Sequence, residues 1–111
     1  MKSLTRLLAH LAPRWFRRRY KGLRIVERVS EVPDDTGSLI FIVQRNGKPL
    51  WAILDCPCRM GHRLSVNLRP GEEPSWTVRQ EDHLVTVHPS LWYKDQCRSH
   101  FWIARNEVRW V

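Results

Sequence analysis

Two short segments hold all three cysteines of the chain, Asp55-Cys56-Pro57-Cys58-Arg59-Met60-Gly61-His62 and Cys97-Arg98-Ser99-His100. Thiolate and imidazole are the ligands that zinc and iron–sulfur centres take. Cys56 and Cys58 are one residue apart, so on an extended segment both side chains leave on the same side. Pro57 stiffens the stretch between them, and Gly61 allows a turn that returns His62 toward the same point. Cys97 and His100 have the C-x-x-H spacing with which a tight turn offers two ligands to one ion. The expected set is therefore Cys56, Cys58, Cys97 and His100, a closed four-ligand shell of the kind that holds structural zinc. His62 can replace one of these or support them from behind. The opposing reading is three small buried apolar side chains beside unrelated histidines. His10, His83 and His88 have no such neighbours in sequence and read as ordinary surface or strand residues.

The same residues admit a second assignment. C-x-C-x-x-G-H followed by C-x-x-H-F resembles the Rieske pattern, in which a C-x-H pair and a C-x-x-H pair hold a 2Fe-2S cluster. Cys58 stands where that pattern has its first histidine, which favours zinc over the cluster. A catalytic zinc would need an open position, with ligands such as Cys58, Cys97 and His100 and a water. Neither H-E-x-x-H nor the H-x-E…P-C-x-x-C deaminase pattern occurs. Cys97 beside His62 or His100 has the makings of a nucleophile pair, but clustered thiols point to coordination first. No catalytic residue is expected on these grounds.

A chain of 111 residues bounds the answer to one domain, small enough that a metal would add usefully to its stability. Three cysteines cannot all pair, which argues against a disulfide framework and for thiols kept reduced in a cytoplasm. No apolar run approaches the roughly 20 residues of a membrane span, and Arg6 and His10 interrupt the Leu-rich N-terminus that a secretory signal would need. The net charge of +8 is unevenly placed. Residues 1–24 carry eight basic side chains and no acidic one; the remainder is balanced.

The elements that must position the two segments follow from periodicity. Leu4, Leu7, Leu8 and Leu11 share one face of a short helix that Pro13 should end. With the arginines that follow, residues 1–22 read as a basic amphipathic arm able to meet nucleic acid, an acidic protein surface or an anionic membrane. Residues 23–111 read as a β-rich domain. Leu23–Val29 alternates. Residues 38–44 and 49–54 flank Asn46-Gly47, a strong hairpin signal. Residues 63–68 form a further strand. Trp76–Arg79 and Leu84–Val87 pair across Glu81-Asp82, and Phe101–Ala104 pairs with Val108–Val111. Pro89-Ser90-Leu91-Trp92-Tyr93 reads as a loop. The fold class expected is all-β, a small sandwich or barrel-like domain with two ligand loops of Rieske-like or zinc-ribbon-like form, after one short helix.

Asp55-Cys56-Pro57-Cys58, Gly61-His62-Arg63, Pro74-Ser75-Trp76, His88-Pro89-Ser90-Leu91-Trp92 and Cys97-Arg98-Ser99-His100-Phe101-Trp102-Ile103 together resemble a bacterial family of small proteins. Its members are encoded beside ubiquitin-activating-like and ubiquitin-conjugating-like enzymes, in operons associated with antiphage defence. The resemblance spans residues 38–111 and implies a metal-binding domain that works with a ubiquitin-like conjugation pathway. It assigns no catalytic residue. The expected function is thus a zinc-binding accessory module with a protein partner. A Rieske-like electron-transfer protein and a nucleic-acid binder using the arm are the alternatives.

Overall fold

Alternating apolar residues organise the computed structural model, which describes residues 19–58, 60–94 and 96–111. The expected N-terminal helix and most of the basic arm lie outside these residues. Among the described residues, eight strands form two four-stranded sheets. The first contains β1 (Gly22–Val26), β2 (Leu39–Arg45), β3 (Lys48–Asp55) and β4 (Arg63–Asn67) in that order. The second contains β5 (Thr77–Glu81), β6 (Leu84–Tyr93), β7 (Ser99–Ala104) and β8 (Glu107–Trp110). A 3-10 turn, Val29–Glu31, follows β1. Among the described residues no helix is long and apolar enough to cross a membrane.

The two sheets meet face to face. Ile40, Ile42, Ala52, Leu54, Leu64 and Val66 from the first pack with Val85, Val87, Leu91, Phe101, Ile103 and Val108 from the second in one buried cluster. The Leu39–Val43 run is apolar at every position because β2 is covered on both sides. Ile40 and Ile42 enter the central core, whereas Phe41 and Val43 pack with Ile53 beneath Val32. The all-β expectation holds in the form of a two-sheet sandwich.

Local chemistry places most of the turns. Asn46 and Gly47 both have positive φ (53° and 74°), as a two-residue hairpin requires. The β5–β6 turn is made by Asp82 and His83, one residue later than the sequence suggests. Two departures are larger. β1 runs parallel to β2, a pairing that no hairpin signal could announce. Pro89–Tyr93, expected as a loop, is the second half of a ten-residue strand. Tyr20, counted with the arm by its basic neighbours, is buried in the core, and its hydroxyl donates to the Asp55 carbonyl at 2.6 Å.

Asn106, at the β7–β8 turn, ties that hairpin to β6. Its side-chain oxygen accepts from the Val85 amide at 2.6 Å and its NH2 donates to the His83 carbonyl at 2.9 Å. It also sits at φ 71°, which Asn tolerates better than most residues. Asn106→Ala leaves a buried amide without its partner and should cost about 2–3 kcal/mol. Urea unfolding should show this as a lower midpoint at an unchanged slope.

Candidate functional site

β3 delivers the chain into the first ligand segment. Asp55 is its last residue, held by Tyr20 at its carbonyl and by the Thr36 hydroxyl at its carboxylate, 2.9 Å away. Cys56 follows, and its amide donates to the His62 carbonyl at 2.9 Å, closing a loop just before β4 begins at Arg63. Within that loop the Met60 amide points at Cys58 Sγ (3.4 Å), and Gly61 takes the left-handed conformation (φ 76°). His62 Nε2 thereby comes to 3.0 Å from Cys58 Sγ.

The second sheet supplies the remaining ligand. Cys97 lies in the connection from β6 to β7, where the Arg98 amide donates to the Tyr93 carbonyl at 2.8 Å. Its sulfur is 3.7 Å from Cys56 Sγ and 3.1 Å from the Ser99 hydroxyl. The ligand atoms of Cys56, Cys58, His62 and Cys97 all lie within 4.8 Å of one another. Thus three of the four expected ligands come together, and His62 stands with them where His100 was expected. A cleft of about 400 Å³, lined by Met60, His62, Arg63, Gln96 and Cys97, opens beside the cluster.

The thiols are electrostatically unlike. Burial pushes the Cys56 thiol far up, against the opposing effect of the Cys58 amide, so the neutral form is held. Burial also works against ionisation of Cys97. Its hydrogen bonds with the Ser99 hydroxyl and amide, His62 and Cys56 outweigh that and bring it down to about 6. Tyr93, packed beside both sulfurs, is pushed up to about 12, first by burial and then by the Cys56 and Cys97 charges. Of these two thiols, Cys97 is the readier to ionise.

His100 belongs to a different arrangement. Its neighbours Ser99 and Phe101 are buried, so strand alternation turns His100 away from the core with Trp102. There its Nε2 is 2.9 Å from the Ser90 hydroxyl, and its ring stacks on Trp92 with centroids 4.9 Å apart and planes 8° from parallel. Ser90 reaches this position because β6 bulges. Val87 pairs with Ile103 and Leu91 with Phe101, so four steps along β6 match two along β7. The Trp76 indole N–H holds the Ser90 carbonyl at 3.2 Å. Alongside, residues 71–76 and Pro89 line an open cleft of about 730 Å³.

With the proton on Nδ1, His100 Nε2 accepts the Ser90 hydroxyl proton, the geometry of a nucleophile beside its general base. Sequence reading missed this pair. Ser90 was hidden in a segment taken for a loop, and His100 was claimed by the C-x-x-H spacing. The signal was there in the alternation of Ser99, Phe101 and Ile103, which fixes His100 on the outer face.

No curated protein and no solved structure matches this chain. One family profile does, over residues 26–111, and it is described as "Bacterial ubiquitination-like system serine protease (BubE)". That span takes in both ligand segments, Ser90 and His100, and covers most of the sequence. The chain belongs to the BubE family of bacterial ubiquitination-like systems.

Proposed function

We propose that this chain is a serine hydrolase that cleaves acyl bonds in polypeptides of a bacterial ubiquitination-like system, on a scaffold braced by one zinc ion. The observation that carries the reading is the 2.9 Å contact between Ser90 Oγ and His100 Nε2 on an accessible face, in a family described as serine proteases. Ser90 Oγ adds to the carbonyl carbon while His100 Nε2 takes its proton. The tetrahedral adduct collapses as His100 returns that proton to the leaving amine, so the substrate's acyl–nitrogen bond breaks and an acyl-Ser90 ester forms. Water then adds to the ester with His100 again as base, releasing the carboxylate and restoring the Ser90 hydroxyl. The cleft beside Pro89 gives the substrate chain a place to lie next to Ser90.

The zinc is assigned to Cys56, Cys58, His62 and Cys97. In tetrahedral zinc sites, with metal–sulfur distances of about 2.3 Å, ligand atoms stand about 3.8 Å apart. The Cys56–Cys97 sulfur distance of 3.7 Å suits this. Such compactness fits one ion better than the 2Fe-2S alternative, whose ligand pairs are spread over two irons. A divalent cation would keep all three thiols ionised and join the β3–β4 loop to the β6–β7 connection. Four protein ligands leave it a structural role. The accessory-module reading remains the second one, supported by that same partly buried cluster. On it, the domain is a metal-held binding partner of the conjugation machinery and Ser90 is unreactive. A cytoplasmic location and use of residues 1–24 on acidic surfaces or nucleic acid belong to the same proposal.

Treatment of the full chain with a fluorophosphonate should label Ser90, as located by peptide mass spectrometry. Ser90→Ala should lower cleavage of a ubiquitin-like substrate by at least about a thousandfold, and His100→Ala by about a hundredfold or more. A wild-type chain that neither labels nor cleaves leaves the accessory module standing.

Metal analysis separates the two histidines. His62→Ala should lose zinc and melt roughly 10 °C or more lower, whereas His100→Ala should keep both its zinc and its melting temperature. A colourless chain with one zinc is expected, and iron with sulfide would reinstate the cluster.

The pH dependence has a definite sign. Thiolates and neutral imidazole are the binding forms, so the stability that the ion supplies is present at neutral pH and is lost as acid protonates them. Zinc should leave as pH is lowered toward about 5, measurable with a chromogenic chelator, and return on neutralisation.

A further inference from the structure

The outer face of β6 carries a period-two series, Ser90, Trp92 and then Lys94 just beyond the strand end. Trp92 is directly opposite His100 in the antiparallel ladder, where cross-strand side chains are near neighbours. It is 57% exposed, an unfavourable position for so large an apolar ring unless the ring has a task there. The indole lies nearly parallel to the His100 imidazole, and the Lys94 ammonium stands 5.0 Å from the centre of the same indole.

An imidazole on a half-exposed strand turns freely about its last side-chain torsion, which has broad minima. One hydrogen bond to a serine hydroxyl is worth only about 1 kcal/mol net and does not fix that torsion. A flat indole 4.9 Å away fixes the plane of the ring, since tilting out of it breaks the stack, and the Ser90 hydroxyl selects between the two flips that share that plane. In the stacked orientation Nε2 faces Ser90 Oγ. The indole face also attracts a cation. The Lys94 ammonium holds the indole from its own side by the same attraction.

We propose that Trp92 is the positioning residue of the Ser90–His100 pair, fixing the imidazole by stacking so that Nε2 stays aimed at the serine hydroxyl. This rests on the reading of Ser90 and His100 as nucleophile and base. Trp92 touches no reacting atom and acts through His100.

The test uses the full-length chain with Trp92→Leu and Trp92→Phe. Wild type, with its His100 ring protons assigned by difference from His100→Ala, should show those resonances moved upfield by the indole. Trp92→Leu should abolish that displacement and slow fluorophosphonate labelling of Ser90 by about tenfold to a hundredfold. Trp92→Phe, which keeps an aromatic face, should recover most of the labelling rate. Melting temperatures and zinc content within the wild-type range exclude simple unfolding as the cause. Labelling of Trp92→Leu at the wild-type rate, or a Phe variant as slow as Leu, overturns the proposal. Failure of the wild-type chain to label defeats the hydrolase reading instead. The His100 resonances then still decide whether Trp92 orients the ring.

Discussion

The two sheets are tied at one end by the approach of Cys56 to Cys97. Burial of apolar side chains between sheets is strong but has no preferred direction, so it leaves their relative slide poorly defined. A polar contact between a loop of the first sheet and a connection of the second adds a directional tie between them. It is not a disulfide, because 3.7 Å is well beyond the roughly 2.05 Å of a sulfur–sulfur bond. The contact sets a thiol that resists ionisation against one that favours it. Two such groups, with a third thiol and an imidazole within 4.8 Å, make a cluster that could hold a metal ion.

The connection from β6 to β7 joins the cysteine cluster to the contact between Ser90 and His100. Cys97 faces the cluster, and three residues later His100 faces Ser90. Ser99 lies between them, buried, with its hydroxyl against the Cys97 sulfur. Whatever sets the position of Cys97 therefore sets the start of β7, and with it the place of the imidazole. The outer face is independent of the core in composition but not in position, since Leu91 and Phe101, the inward neighbours of Ser90 and His100, are fully buried.

Much of this was legible in the chain. Asn46-Gly47 announced its hairpin because few other dipeptides accept two positive φ angles. Cys56 and Cys58 read as a ligand pair because three cysteines cannot all pair in disulfides. Three features escaped, each for a physical reason. The parallel pairing of β1 with β2 is a long-range contact, and nothing local specifies it. The full length of β6 was concealed by Pro89, a residue that interior strands avoid except at bulges. The choice between His62 and His100 turned on which way β7 faces. Spacing along the chain allowed either histidine; the buried Phe101 and Ile103 turn His100 to the outer face, while His62 lies beside the three sulfurs.

The bulge in β6 carries a wider consequence. A strand's two faces alternate with period two, so a one-residue slip of register turns its core side chains outward. The β6 bulge inserts two. Val85, Val87 and Leu91 all remain buried on the same side of it. A sheet can thus gain a raised, serine-bearing kink on its outer surface while its interior packing stays in phase.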